Sequence, residues 1–438
     1  MVEKAPKINV DKDLDDKLFS VSLLNTLPIV TKCQREYLYW DKVKYLNDKI
    51  LSPKKIWSII KLARFIHTKN VKIKEYKNKT LSVNYNINEY LQQKLHYLDF
   101  NFGAGLQKEQ LLSDLDKQKY LNNAIMEESI FSSMIEGATT TRVKAKDMLR
   151  KDKKPKNKSE QMILNNYKTI QFISEHKENE VSLEKLFEIH RLVTENTLEK
   201  ESIGVFRSNN EVHVMNEVTG EIVHTPPDYG KLRDLMVSFC DFFNNNSEKD
   251  FVHPIVKASI LHFLIGYIHP FVDGNGRTAR AIFYWYLLKN GYWLTEYMSI
   301  SRIIMKTKTQ YEKAYLYTEI DEMDVTYFIH YQVKVLIRAF EDLKLYVAKK
   351  KKEEKTLSKY FKLNNVNERQ AQILYWIEED EDRFFTVKEI ENIYSITNQT
   401  ARNDLEELVL SGFLKKIPIN KKSSNYWKSD NFDKLLNN

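Results

Sequence analysis

The residues from His269 to Arg280, His269-Pro270-Phe271-Val272-Asp273-Gly274-Asn275-Gly276-Arg277-Thr278-Ala279-Arg280, gather a base, a carboxylate, an amide, two glycines and two guanidinium groups. Apolar segments from Phe251 to Ile268 and from Ala281 to Leu288 flank them and read as buried helices. Pro270 cannot continue a helix and pushes His269 out of the helical region, so the first helix must end there. Gly274 and Gly276 allow a sharp turn and let backbone N–H groups approach a ligand. Those groups open the second helix, and a helix N-terminus is an anion site. Arg277 and Arg280, three apart, share a face of its first turn. Uncompensated cations there oppose the helix dipole at a cost of about 0.3–1 kcal/mol each. A bound anion reverses that cost. Backbone N–H groups, two arginines and a carboxylate together suit a polyphosphate carrying a divalent cation.

This stretch resembles the Fic motif, HPFx(D/E)GNGRxxR, at every defined position. Members of that family mostly transfer AMP from ATP to a hydroxyl side chain of a target protein. The resemblance implies ATP bound along Gly274, Asn275, Gly276, Arg277, Thr278, Ala279 and Arg280. The Gly274–Gly276 backbone and the Asn275 amide would take the α- and β-phosphates, Arg277 the β-phosphate and Arg280 the γ-phosphate. Asp273 would hold Mg²⁺ (or Mn²⁺). His269 would act as the base toward a Tyr, Thr or Ser hydroxyl, a role that a neutral imidazole suits. Some relatives transfer other nucleotides or phosphocholine. A phosphate-transferring branch carries Lys in place of the second glycine, and Gly276 argues against it.

Upstream, Lys119 to Gly137 reads as an amphipathic helix ending near Gly137. Ser132, Glu136 and Gly137 resemble the (S/T)xxxE(G/N) inhibitory motif found N-terminal to the main motif in one Fic class. By that resemblance Glu136 pairs with Arg280 and occupies the fork that the γ-phosphate needs. ATP would then enter misaligned, and lost alignment is expensive in phosphoryl-type chemistry. Some relatives with this glutamate also remove AMP, and Glu136 keeps that option open.

These residues need elements to position them. Residues 1–112 read as an aromatic-rich helical region, 113–348 as the Fic domain with its inhibitory helix over 119–137, and Ser159 as a helix cap. A β-hairpin is expected over 204–227, with Val212-His213-Val214 on its first strand. It resembles the flap by which Fic domains clamp an extended target segment. His262 reads as a core histidine, and Tyr311 matches a family position bordering the nucleotide. Residues 349–363 read as a charged linker. Residues 364–438 read as a winged helix-turn-helix with its recognition helix from Gln399 to Ser411. Gln399, Arg402 and Asn403 would face base edges, and Lys415, Lys421 and Lys422 phosphates.

Composition fits a mainly α fold: 42% apolar and 29% charged residues, with only 11 Gly and 9 Pro in 438 residues. The net charge of +8, from 68 basic and 60 acidic residues, permits an acidic partner without demanding one. Cys33 and Cys240 lack metal-ligand spacing and read as free thiols of a cytoplasmic protein. No apolar run approaches the ~18 residues of a membrane span, so no membrane partner is expected. A protein target, self-modification, a homodimer and DNA bound by 364–438 remain open as partners. The competing function is a DNA-binding transcriptional regulator with the Fic core as nucleotide sensor. An intact His269 counts against it, because sensing needs no base.

Overall fold

Pro28, Pro53 and Pro254 each open a helix, where a missing N–H costs nothing. The computed structural model describes residues 2–8, 27–49, 51–75, 79–104, 114–216, 219–245, 251–357, 360, 363, 366–380, 382–420 and 423–436. The first described elements are α1 (Pro28–Glu36), α2 (Trp40–Val43) and α3 (Pro53–Ile66). Next comes an antiparallel hairpin, β1 (Lys69–Lys74) and β2 (Thr80–Tyr85), inside the region expected to be helical throughout. Val71, Ile73, Val83 and Tyr85 are buried while Lys69, Lys72 and Lys74 face solvent. That two-residue alternation belongs to a half-buried strand.

After α4 (Glu89–Asp99) come α5 (Asp114–Ile135), α6 (Arg142–Arg150), α7 (Lys158–Glu175) and α8 (Leu183–Thr194). α5 starts before the expected Lys119 and stops one residue short of Glu136. The cap of α7 is Asn157, not Ser159: the Asn157 side chain accepts from Glu160 N–H, three residues on as a cap requires. Ser159 Oγ accepts from Thr139 N–H instead.

A two-rung hairpin, β3 (Val214–Met215) and β4 (Ile222–His224), leads to α9 (Leu232–Asn244), α10 (Pro254–Ile268) and α11 (Asn275–Lys289). Nearly every residue of α10 and α11 is buried, because α8, α9 and α14 (Thr326–Leu357) surround this central pair. Between α11 and α14 lie α12 (Ile300–Lys306) and α13 (Lys308–Ile320). α14 continues to Leu357, so the first part of the expected linker is helix.

A separate hydrophobic core, including Tyr360, Leu374, Phe385, Leu405 and Tyr426, holds the C-terminal elements together. These are α15 (Glu368–Glu379), β5 (Phe384–Phe385), α16 (Val387–Tyr394), α17 (Asn398–Leu410), β6 (Leu414–Pro418), β7 (Ser424–Lys428) and α18 (Phe432–Leu436). The strands form an antiparallel sheet in the order β5-β7-β6. This is the expected winged helix with β5 and α18 added. Lys421 and Lys422 lie outside the described residues. No described helix is long and apolar enough to cross a membrane.

Candidate active site

α10 ends at Ile268, and His269 takes a left-handed conformation, φ 50° and ψ 58°. Its Nδ1 lies 3.2 Å from Gly266 O, which assigns the proton to Nδ1 and leaves Nε2 as the acceptor. Burial, above all, pushes the imidazole down to about 4 and keeps it neutral. Phe271 N–H donates to Asn275 Oδ1 (2.9 Å), and Asn275 Nδ2 donates to Phe271 O (2.8 Å). The expectation that the Asn275 amide serves a phosphate is therefore corrected: that side chain closes the loop. What the residue offers a ligand is its backbone N–H.

Gly274 caps α11 with φ 82° and supplies no side-chain hydrogen bond to the helix. The N–H groups of Asn275, Gly276 and Arg277 have no in-helix acceptor in this first turn. Thr278 and Ala279 depart from expectation. Thr278 N–H bonds Gly274 O, and both side chains are fully buried on the inner face of α11. The Thr278 hydroxyl is buried without a hydrogen-bond partner among the described residues. Arg277 is also buried: Nη1 donates to Val193 O (2.9 Å), and Nε has no partner. Asp273 is the most open polar group of the loop, its side chain 45% exposed. One carboxylate oxygen accepts from Gly274 N–H (2.5 Å) and lies 3.6 Å from Arg277 Nη2. Among the described residues no group of three or more His, Cys, Asp or Glu could hold a metal. A half-open carboxylate fits an ion that takes its other oxygens from a phosphate ligand and water.

Arg280 meets the end of α5. Its Nε donates to Ser132 Oγ (2.8 Å), Nη2 to Ser132 O (2.8 Å) and Nη1 to Glu136 Oε1 (3.0 Å). Gly137, with φ 88°, turns the chain away just after Glu136. A Cβ on Gly276 would meet the Glu136 carboxylate well inside contact distance. Gly276 thus lets Glu136 lie over the open N-terminus of α11. Sequence reasoning placed Ser132, Glu136, Gly276 and Arg280 in one site, and the fold brings them together.

Tyr311 sits behind this group rather than at its mouth. It is almost fully buried, with its hydroxyl 2.9 Å from His262 Nε2, and it lies close enough to Arg280 to feel that charge. It braces the arginine from the core, a correction to the expected border position. His262 is the core histidine expected, with Gln332 on its other nitrogen. In the flap, Val214 pairs with His224 and Met215 with Ile222, so Val212 and His213 fall outside the ladder. Extending the ladder back to Val212 would set it opposite Pro226, which has no N–H to pair. Met215 and Ile222 expose their apolar side chains, and His224 ties the flap to Tyr267 O (2.7 Å) and Glu319 (2.7 Å).

Two residues that hold the loop went unassigned in the sequence. His190 stacks on Phe271 (3.8 Å between ring centres), donates from Nε2 to Asp273 O (2.9 Å) and accepts Gly204 N–H at Nδ1. Arg207 donates from Nε to His269 O (3.0 Å), and its backbone N–H bonds Pro270 O. Both reach the loop across more than 60 residues of chain, where local spacing carries no signal. Arg207 does fall at the start of the hairpin expected over 204–227.

Residues 180–287 match the Fic/DOC family, and residues 369–417 match the DeoR-like helix-turn-helix domain. The protein adenylyltransferase Fic of Drosophila willistoni is 35% identical over 113 residues, 26% of this chain and 21% of that protein. Its Drosophila virilis counterpart is 36% identical over 113 residues, with the same shares. The match thus spans about a fifth of the length of these curated relatives. Among solved structures, a Fic family protein from Desulfovibrio desulfuricans superposes with a TM-score of 0.49 at 18% identity, over 77% of this chain and 94% of that one. On the motif and the family matches, the chain contains a Fic/DOC domain over residues 180–287 and a DeoR-like helix-turn-helix domain over residues 369–417.

Proposed function

We propose that the Fic domain transfers AMP from ATP to a Tyr, Thr or Ser hydroxyl of a target protein, and that Glu136 holds it inactive at rest. The observation that carries this reading is the seat of Glu136, on Arg280 and over Gly276. An intramolecular carboxylate there stands where a polyphosphate would bind.

With Glu136 displaced, the phosphates lie along the N–H groups of Asn275, Gly276 and Arg277. Arg280, still held by Ser132, takes the γ-phosphate. The target oxygen attacks the α-phosphorus and gives its proton to His269 Nε2. The bond from the α-phosphorus to the bridging oxygen breaks, and pyrophosphate leaves with those electrons. Mg²⁺ or Mn²⁺ on Asp273 supplies charge neutralisation for the phosphates. The exposed Met215 and Ile222 edge of the flap supports docking of an extended target segment. Glu136 in the same site also suits the reverse use, AMP removal, by positioning a water. Free, buried Cys33 and Cys240 suit the cytoplasm.

The test is labelling by α-³²P-ATP and Mg²⁺ of Glu136→Gly beside Glu136→Gly/His269→Ala. Strong self-labelling or target labelling is expected in the first and none in the second. Equal labelling in both, or none in either, refutes the mechanism.

A second reading, DNA binding by residues 364–438, is favoured by the DeoR-like match and by the exposed Gln399 and Asn403 on α17. Salt-dependent binding of duplex DNA would support it, and no binding at low salt would remove it.

A further inference from the structure

The winged helix does not stand apart from the catalytic domain. α16 packs on α5 and α6. Asn122 Nδ2, on α5, donates to Asn392 O (2.7 Å) and to Ser395 Oγ (2.8 Å), and Gln118 Nε2 donates to the same hydroxyl (3.2 Å). Asn392 Nδ2 in turn donates to Arg150 O, and the Lys151 ammonium lies 4.8 Å above the Phe384 ring. α5 therefore grips Ser395, the left-handed residue that forms the turn into α17. α17 itself packs on α15, α16 and β6.

α5 is also the helix whose far end carries Ser132 and leads into Glu136. From Asn122 to Glu136 it holds neither glycine nor proline. At 1.5 Å per residue those two positions lie about 21 Å apart. A helix without a breaker transmits displacement along its length instead of kinking. The hold of the winged helix and the hold on Arg280 are two ends of one rod.

Charge argues that this domain is built for docking on protein rather than on nucleic acid. Residues 364–438 contain 10 Lys and Arg against 13 Asp and Glu, a net charge of −3 in a chain of net +8. Arg369, Arg383, Lys388, Lys415, Lys416 and Lys428 each pair with a carboxylate. Affinity for DNA comes chiefly from cations given over to phosphates. The seam is also imperfect. Glu389 Oε2 and Arg383 Nε are buried there without partners, beside a hollow lined by Lys146, Arg150 and Lys151. The two side chains still pair with each other through Arg383 Nη2 and Glu389 Oε1 (3.5 Å), but buried polar atoms left without a hydrogen bond weaken a contact, so this one holds without locking.

We propose that the winged helix is an intramolecular clamp on the inhibitory helix: docked on α5 and α6 it keeps Glu136 seated on Arg280, and its undocking raises transferase activity. The proposal rests on the reading of Glu136 as the inhibitor. It is tested in the full chain with Asn122→Arg, which sets a third cation in the hollow shared with Arg150 and Arg383, and with Asn392→Ala, which removes the donor to Arg150 O. Both variants should self-label from α-³²P-ATP at least five-fold faster than the wild type. Asn122→Arg/Glu136→Gly should label at the rate of Glu136→Gly, because the clamp then has nothing left to hold. Hydrogen exchange over residues 132–137 should be faster in Asn122→Arg. Wild-type labelling in both single variants, with the double variant as active as Glu136→Gly, overturns the clamp. If the double variant is inactive, Asn392→Ala alone decides. If Glu136→Gly itself does not label, the transferase reading fails. Hydrogen exchange then decides the clamp separately, and unchanged exchange over 132–137 refutes it.

Discussion

α11 and α17 both begin with a polar first turn at the edge of their domains, and they differ in what that turn leaves unsatisfied. α11 starts at a glycine that provides no side-chain cap, above two arginines, and a carboxylate from a distant helix fills the place. α17 is self-sufficient. Thr397 caps it by accepting Thr400 N–H (3.2 Å), Gln399 bonds Asn403 (2.8 Å), and Glu406 pairs with Lys416 on the neighbouring strand. An uncapped start flanked by cations is a standing demand for an anion. A capped start with its lysine already paired makes no such demand. Phosphate chemistry therefore belongs to α11, and the motif resemblance of α17 to DNA readers outruns its electrostatics.

Substitutions can break this contrast at either helix. The largest effect is expected at the base: His269→Ala in a Glu136→Gly background should lower labelling by about 10²–10⁴-fold, read from initial rates. A smaller loss would move the base elsewhere. Next, Glu136→Gly alone should raise labelling over the wild type by roughly 10–100-fold, the worth of one charge-assisted hydrogen bond. No gain would mean that the Glu136–Arg280 pair is not the brake.

A third expectation concerns acid. Burial holds His190 and His269 at about 4, below the ordinary value of 6.5. As pH falls below 6.5 the unfolded chain takes up protons first, so their contribution to stability is intact above 6.5 and lost toward pH 4. The melting temperature should drop by a few degrees, on the order of 5 °C, between pH 7 and pH 5. An unchanged melting temperature would contradict the buried, neutral state of both rings. The smallest effect lies at α17. Thr397→Ala should cost about 1 kcal/mol in unfolding of the winged helix, while labelling by Thr397→Ala/Glu136→Gly stays within about two-fold of Glu136→Gly on this account.

The catalytic loop was legible because its parts are contiguous and each type is needed for a local reason: Pro270 to end a helix, Gly274 to turn, Arg280 to meet an anion. Ser132 and Glu136 were legible for a related reason, a four-residue spacing along one helix. What contiguity hid was division of labour. Asn275, Thr278 and Ala279 lie inside the motif, yet they close the loop or fill the core. His190 and Arg207 lie far outside it, yet they hold its carbonyls. Burial and tertiary hydrogen bonds decide such roles, and spacing does not report them. The β1–β2 hairpin was missed although Val71, Ile73, Val83 and Tyr85 alternate with polar residues, because the helical texture on either side dominated the reading. The winged helix was the easiest region to read, since its helices and strands are short, regular and bounded by Asn367, Thr386 and Thr397 as caps.

The claim that Glu136 takes the place of the γ-phosphate on Arg280 is tested most directly by comparing ATP with ADP. Dissociation constants for both nucleotides, measured with Mg²⁺ by calorimetry on the wild type and on Glu136→Gly, give one ratio for each protein. On this account the wild type binds ATP no better than ADP, because the site of the third phosphate is filled. Glu136→Gly should then prefer ATP by about ten-fold or more, the worth of a recovered charge-assisted contact. The same ATP-to-ADP ratio in both proteins would contradict it.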